Sequence, residues 1–316
     1  MKKVLFATTA LVATAGVAAA DVTFGGYGRF GVMYTDPAGA GASTTNVTSR
    51  FRLQIDATAE SDAGVTFGAR VRIQQNNTDS TGGISDPDGI PASGDETLTS
   101  NGPAGTGING VRFFARSGGL EVGVGNIYGA LEFMPGMYPI DLGLTGLGYD
   151  YTAYNFRGDA YSSGGAGAAG NNGVEVMYSA GDLSVHVSAS DVNDRIAGYV
   201  AYTWSGWTFA LGAQDSNNAA DTELAASVAG SFGMADVTLA YADNGTAGDR
   251  IVLAGRFDVG AATDVEVYVV DQDFAANTGY GIDFNHDLGG GTSLRGGVAK
   301  RLSGATVADL GVRFNF

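Results

Sequence analysis

Arginines are the residues in this chain whose type and spacing could do chemistry. Arg50 and Arg52 lie two positions apart, and Arg70 and Arg72 repeat this spacing one segment later. In an extended chain, residues two positions apart point to the same face, so both pairs would add charge to one surface. The field of such a surface orients polar molecules and disfavours apolar ones. The pattern predicts a basic wall whose members are Arg29, Arg50, Arg52, Arg70, Arg72 and Arg112.

The predicted wall requires compensation, because like charges directly opposite each other on one face destabilise a sheet. A hairpin centred near Asp62 would place Arg52 roughly across from Arg72. The nearest source of negative charge is the long stretch 126–172, which carries carboxylates among glycine, tyrosine and proline. A connection of this length without regular structure usually has a function.

We expect the stretch 126–172 to fold inward, so that its carboxylates face the arginines and both keep their charge. The residues predicted for this role are Glu132, Asp141 and Asp150. Loop and wall together would then set a size limit and a transverse field. The alternative is that the arginines are ordinary solvated side chains and that the loop is an external cap.

The sequence contains candidates for two other kinds of site. His186 has Ser184 and Ser188 on its own face, so a hydrolase is a rival hypothesis, although spacing in the sequence cannot establish a catalytic geometry. Paired aspartates in two loops could offer oxygen ligands to a structural calcium ion, but solvated acidic loops explain them as well. These candidate calcium ligands are Asp86, Asp88, Asp271 and Asp273.

The elements that must position these side chains are strands. Apolar and polar residues alternate in about sixteen segments, an even number that suits a closed transmembrane barrel. The segments start near Val22, Ser49, Gly64, Gly110, Leu120, Val174, Leu183, Ile196, Trp207, Thr222, Ala235, Arg250, Thr263, Thr278, Ser293 and Thr306. The last one alternates up to Phe316, so we expect it to pair with the first strand and leave no open edge.

The connections and faces support the same architecture. Short turns alternate with longer loops, which predicts a periplasmic rim and an external rim. The outward register is nearly free of charge, as expected if it meets hydrocarbon. Aromatic residues near segment ends would form interfacial girdles, and the residues predicted for them are Phe24, Tyr34, Trp204, Trp207 and Tyr241. The fold class is therefore an all-β, 16-stranded antiparallel transmembrane β-barrel. A soluble β-sandwich would not explain the connection pattern.

The composition and the predicted export signal agree with this interpretation. Residues 1–20 have two lysines, an apolar stretch and a small-residue site, so we expect a cleaved signal peptide followed by one barrel domain, 21–316. The mature chain would carry 15 basic and 33 acidic residues, a formal charge of -18, which argues against nucleic-acid binding. There are no cysteines, so hydrogen bonds and packing must hold the fold.

Several stretches carry a family resemblance. The sequence DVTFGGYGRFGVMY at the predicted mature start, VGNIYGALEFMPGMY, GLTGLGYDYTAYN, NNGVEVMYSAGDLSVHVS and the closing VRFNF resemble the general porins of alphaproteobacteria of the Rhodobacter type. The resemblance implies a homotrimer of sixteen-stranded barrels in outer-membrane lipid and lipopolysaccharide. It also implies a water-filled pore, narrowed by the third external loop, that passes ions and small hydrophilic solutes by diffusion without a cofactor.

Two alternatives to a general diffusion channel stay open. A substrate-selective channel would line its pore with an aromatic track, and the candidate residues are Tyr27, Tyr128, Tyr149, Tyr151 and Tyr154. An outer-membrane enzyme or adhesin on the same scaffold is the other alternative. Net acidity favours a mild cation preference, but the narrowest point of a pore decides its selectivity.

Overall fold

Sixteen antiparallel strands form one closed sheet in the part of the chain that the structure describes. The structure is a computed structural model, and it describes residues 20–78, 84–85, 97–98, 107–156, 161–163, 170 and 172–316. The strands are β1 (Asp21–Asp36), β2 (Thr44–Glu60), β3 (Thr66–Thr78), β4 (Arg112–Ser117), β5 (Leu120–Asn126), β6 (Asn172–Ala180), β7 (Leu183–Ser190), β8 (Arg195–Trp204), β9 (Trp207–Asp215), β10 (Glu223–Phe232), β11 (Ala235–Asp243), β12 (Asp249–Gly260), β13 (Thr263–Gln272), β14 (Gly279–Gly289), β15 (Thr292–Lys300) and β16 (Thr306–Asn315).

Minor elements accompany the barrel. The two-residue segment Gly107–Ile108 pairs with β3 ahead of β4, and Ile84–Ser85 pairs with Thr97–Leu98 in a separate ladder. Short 3-10 turns, Val192–Asp194 and Gly245–Ala247, lie in two of the loops. No helix among the described residues is long and apolar enough to cross a membrane.

The barrel closes where the first and last strands meet. β1 pairs with β16 in a continuous register from Tyr27 opposite Asn315 to Asp36 opposite Thr306. The backbone of Phe316 continues this ladder, because its N–H and C=O both bond to Gly26. The Phe316 ring stacks on Phe51 of β2, with ring centroids 5.6 Å apart. The predicted pairing of the two terminal strands is confirmed, and the sheet has no open edge at this seam.

Alternation decides which side chains face outward. In β2 and β3 the outward register carries Phe51 and Phe67, both exposed, while the arginines at the even positions are partly covered inside the barrel. Of the residues predicted for aromatic girdles, Phe24, Tyr34, Trp204 and Tyr241 are exposed, as expected for side chains that meet the membrane interface, and Trp207 is partly buried.

The turn between β2 and β3 corrects one predicted register. Ser61 and Val65 close this turn through Ser61 N–H to Val65 C=O, with Gly64 at φ +75°. The pairing is therefore centred on Ala63, one residue later than expected, and every partner moves by two positions. Arg52 lies opposite Gln74 rather than Arg72, and Arg72 lies opposite Gln54.

The hydrophobic core lies inside the barrel, between the wall and the connection that follows β5. Apolar residues of 127–156 are buried against inward-facing residues of β8 to β13, β15 and β16. The inward positions beneath this segment are mostly alanines, which leave room for a chain to lie on the wall. They are Ala197, Ala201, Ala210, Ala225, Ala240, Ala242, Ala254 and Ala299.

Candidate functional site

The predicted basic wall lies on the inner faces of β1 to β4. Cross-strand pairing arranges it in rows. The first row runs Arg313, Arg29, Arg50, and the second places Tyr27 next to Arg52. The third row pairs Gln54 with Arg72, and the fourth runs Asp56, Arg70, Arg112. The six predicted arginines thus share one wall, in a descending series from strand to strand.

Like charges oppose each other at two places in this wall. Arg29 has Arg313 on one side and Arg50 on the other, and Arg70 lies opposite Arg112. The charges of the pair in the fourth row, Arg70 and Arg112, are neutralised by carboxylates of nearby strands. Arg70 binds Asp56 at 2.6 Å, and Arg112 binds two glutamates. Sequence reasoning expected this compensation from the long loop instead.

The predicted arginines in the first three rows of the wall, which we call the upper basic wall, have neutral partners. The Nε atoms of Arg50 and Arg52 donate to the amide oxygens of Asn76 and Gln74 at 2.5 and 2.6 Å, and Arg72 donates to Gln54 at 2.8 Å. Arg29 donates to the Leu144 carbonyl at 2.5 Å. No carboxylate of the described residues forms an ion pair with these arginines, which are Arg29, Arg50, Arg52 and Arg72.

Tyr27 organises three guanidinium groups at the top of the wall. Arg52 and Arg313 lie against its ring, with Cζ 5.2 and 4.3 Å from the centroid, and Arg50 donates to its hydroxyl at 3.2 Å. Cation–π contacts of this kind stabilise a cation without neutralising it. Tyr27 therefore holds the arginines in place while their charge remains available to the lumen.

Two of the predicted loop carboxylates bind arginines of β15, β16 and the turn between them. Asp141 binds Arg295 at 2.7 Å and Arg313 at 2.9 Å, and its side chain is 62% exposed. Asp150 binds Arg301 at 3.1 Å and accepts the backbone N–H of Leu302. The hydrogen bonds that Arg301 donates to Asp150 raise the pKa of Arg301. Glu132 is partly exposed near the start of the loop. Asp141 is thus the loop carboxylate that borders the basic wall, through Arg313.

Three buried carboxylates of the wall hold the middle of the loop, and sequence reasoning did not single them out. Glu266 accepts the N–H of Asp141 at 3.0 Å, and Asp283 accepts that of Gly143. Asp309 accepts three hydrogen bonds, from the N–H groups of Leu144 and Thr145 and from the Thr145 hydroxyl. The detectable signal was an acidic residue on the inward register of each of three late strands, opposite a loop rich in free N–H groups.

A buried ionic cluster holds the entry to the loop. Arg112 is completely buried and binds Glu175 at 2.5 Å and Glu121 at 2.6 Å, while its guanidinium lies 3.8 Å from the Tyr128 ring centroid. Glu175 also accepts the N–H of Tyr128 and contacts His186 Nε2, both at 2.9 Å. Burial raises the pKa of Tyr128. His186 therefore faces inward and contacts a carboxylate.

One candidate catalytic serine, the candidate histidine and two of the candidate track tyrosines are buried where the loop packs against the wall. Ser188 accepts the N–H of Ala130, so it serves the loop, and His186 is 1% exposed. Tyr151 and Tyr154 are buried between loop and wall, and burial raises the pKa of Tyr151. These two tyrosines cannot form an exposed aromatic track.

The calcium hypothesis gains no support from the described residues. Asp86 and Asp88 lie outside them. Asp271 accepts a hydrogen bond from Thr278 at 3.3 Å, and in the described part of the chain no three acidic or histidine side chains converge as metal ligands.

Comparison with known proteins supports the barrel fold and identifies its family. A family model described as Gram-negative porin matches residues 7–304. The porin of Fuscovulum blasticum is 32% identical over 317 residues, which cover 94% of this chain and all of the relative. The porin of Rhodobacter capsulatus is 28% identical, with the same coverage.

Solved structures of this kind superpose on the whole barrel. One is a variant of the Rh. blastica porin in which a lysine and an arginine are replaced by alanine; its TM-score is 0.77 at 28% identity, over 94% of this chain and 100% of that one. Fold, family model and relatives together indicate a channel protein of the outer membrane rather than an enzyme. The chain belongs to the Gram-negative porin family.

Proposed function

We propose that ions and small hydrophilic solutes diffuse passively between the basic wall and the inward-folded loop, and that these two surfaces form the constriction. The observation that carries this proposal is the asymmetry of the inner surface. Apolar residues of 127–156 lie on the alanine-rich side from β8 onward, whereas the arginines lie on β1 to β4. The path left to solutes is the side lined by charge.

Charge on both borders of this path supports a transverse field. Arg29, Arg50, Arg52 and Arg72 supply the positive border, and the exposed Asp141 lies where the loop approaches it. Opposed charges orient polar solutes in a narrow aqueous passage and penalise apolar ones. One solved relative, 30% identical, comes from work on the asymmetric conductivity of engineered proteins. This relative supports a role in conduction for the present chain.

The experiment reverses the charge of the wall. Arg52→Glu with Arg72→Glu should raise the cation preference and change the single-channel conductance in planar bilayers. Arg256→Glu is the control, because Arg256 pairs with Asp264 in another part of the barrel. Wild-type conductance and selectivity in the double variant would remove the arginine wall from the mechanism.

The same proposal includes assembly as a homotrimer in outer-membrane lipid and lipopolysaccharide. Its support is the resemblance to Rhodobacter-type porins together with the exposed apolar outer surface of the barrel. Cross-linking of the protein in native membranes should give a band at three times the chain mass. Recovery of monomers alone from gently solubilised membranes would contradict this part.

A further inference from the structure

The upper basic wall has an excess of positive charge and of unused hydrogen-bond donors. Arg29, Arg50, Arg52 and Arg72 are partly exposed and have no carboxylate partner among the described residues. Guanidinium groups are delocalised cations that donate several hydrogen bonds. Four such groups on neighbouring rows make this wall strongly positive, although the whole chain is strongly acidic.

The donors that remain are suitably placed for a ligand. Within the described residues, Nη2 of Arg50, Nη2 of Arg72 and both Nη atoms of Arg52 have no acceptor. The Nη2 atom of Arg29 also has no acceptor there, since only Nη1 is bonded, to the Leu144 carbonyl. A side chain held by its Nε atom keeps the Nη edge free, and this edge forms paired hydrogen bonds to an oxyanion.

The guanidinium groups are also preorganised. Amide oxygens of β3 fix Arg50 and Arg52 through their Nε atoms, and Tyr27 lies between Arg52 and Arg313. An anion would therefore find the donors in place and would not have to order long side chains, which is a large part of the cost of binding.

The spacing along the wall allows transfer from one arginine to the next. Neighbouring strands are about 5 Å apart, and successive same-face residues are about 7 Å apart. In the register of the sheet, Arg29 lies beside Arg50, Arg52 is two residues further along β2, and Arg72 occupies the following row on β3. Conduction requires sites that bind an ion and release it to a neighbouring site.

We propose that Arg29, Arg50, Arg52 and Arg72 form a track of weak binding sites for small oxyanions such as phosphate. This inference rests on the proposed function, because it names the solute class that the basic wall recognises. The channel then favours oxyanions despite the acidity of the chain, since the local charge of the passage acts on the solute.

The test measures how inorganic phosphate affects chloride current through the purified channel in planar bilayers. Wild-type protein should show a reduction that saturates with phosphate concentration. Arg50→Gln with Arg52→Gln should raise the half-blocking concentration about tenfold, as expected for the loss of charged hydrogen bonds. The control Arg256→Gln removes the same kind of charge elsewhere and should change this concentration less than about twofold.

A lysine variant separates oxyanion recognition from the field of the wall. Arg50→Lys with Arg52→Lys keeps the charge but loses the paired donors, so it should keep the preference between chloride and potassium while phosphate binding weakens. If the glutamine double variant does not fold, as judged by circular dichroism, Arg52→Gln alone replaces it and should weaken phosphate block in the same direction.

Three results would overturn the track while leaving the diffusion channel intact: a phosphate effect that does not saturate, a lysine variant with wild-type phosphate block, or equal effects of Arg256→Gln and the wall variants. A wild-type protein that forms no ion-conducting channel would instead contradict the proposed function itself.

Discussion

At the scale of single residues, Glu175 connects the barrel wall to the loop. One carboxylate binds the guanidinium of Arg112, the ring nitrogen of His186 and the backbone N–H of Tyr128, and all of these lie within 3 Å of it. Arg112 and Glu175 have side chains that are 1% and 0% exposed. Burial makes such a pair sensitive to the removal of one partner, because the remaining charge cannot be solvated.

We therefore predict that Glu175→Gln destabilises the barrel by about 3 kcal/mol, the lower end of the cost of breaking a buried ion pair, since Glu121 still neutralises part of Arg112. The measurement is the urea-unfolding midpoint of the refolded protein in lipid vesicles. Glu223→Gln is the matched control: among the described residues Glu223 accepts one hydrogen bond, from Gln214, which a glutamine oxygen can still accept, so the cost should be below about 1 kcal/mol. Equal effects of the two substitutions would show that the ionic cluster around Glu175 contributes no more to stability than an ordinary hydrogen bond.

At the scale of elements, the loop is held by groups that accept its backbone N–H donors. Glu266, Asp283 and Asp309 come from three different strands and all bind within the segment 141–145. An irregular segment inside a barrel needs such partners, because its N–H groups find no ladder of their own. The carboxylates therefore fix the loop against the wall and determine how far it extends across the lumen.

Asp309→Ala removes three hydrogen bonds from the loop and should loosen it locally. Each such bond to a charged acceptor contributes about 1.5 to 3 kcal/mol. Hydrogen–deuterium exchange should become faster in peptides covering 141–147, and the open-channel current should become noisier. Asp236→Ala is the control, since among the described residues the Asp236 side chain binds the exposed Ser231 alone, at a hairpin end. Unchanged exchange in Asp309→Ala would mean that apolar packing alone holds the loop.

At the scale of the whole molecule, two glycines lie where the first and last strands pair and where the loop packs against them. Gly31 of β1 lies opposite Gly311 of β16, and Leu144 of the loop lies over both. A Cβ atom on Gly311 would come 2.3 Å from the Phe30 carbonyl and 2.6 Å from a Leu144 methyl group. The closing seam thus brings its strands together at a point where no side chain fits.

Gly311→Ala should for this reason destabilise the closed barrel by about 1 to 3 kcal/mol, the usual cost of overpacking. Thermal unfolding in detergent, followed by the loss of the strand signal in circular dichroism, measures the effect. Gly260→Ala should change stability by less than about 0.5 kcal/mol, because nothing lies within 4 Å of a Cβ atom at that position. A tolerated Gly311→Ala would show that the seam can widen.

Alternation along the chain was sufficient to determine the barrel, its sixteen strands, the outward faces and the arginine wall, because side chains in a strand change face at every residue. The pairing of Phe316 near the first strand followed in the same way. These properties depend on local order and on the contrast between hydrocarbon and water. Sequence alone therefore predicted which arginines face inward, but not which residues lie opposite them.

Only the tertiary structure decided which charges meet. A turn centred on Ala63 instead of Asp62 placed Arg52 opposite Gln74, and a change of one residue in a turn cannot be read from alternation. Asp141, Asp150 and the wall carboxylates found their partners at separations of more than a hundred residues, such as Asp309 with Leu144. Such contacts depend on how an irregular loop lies inside a closed sheet, and no periodic pattern in the loop encodes that path.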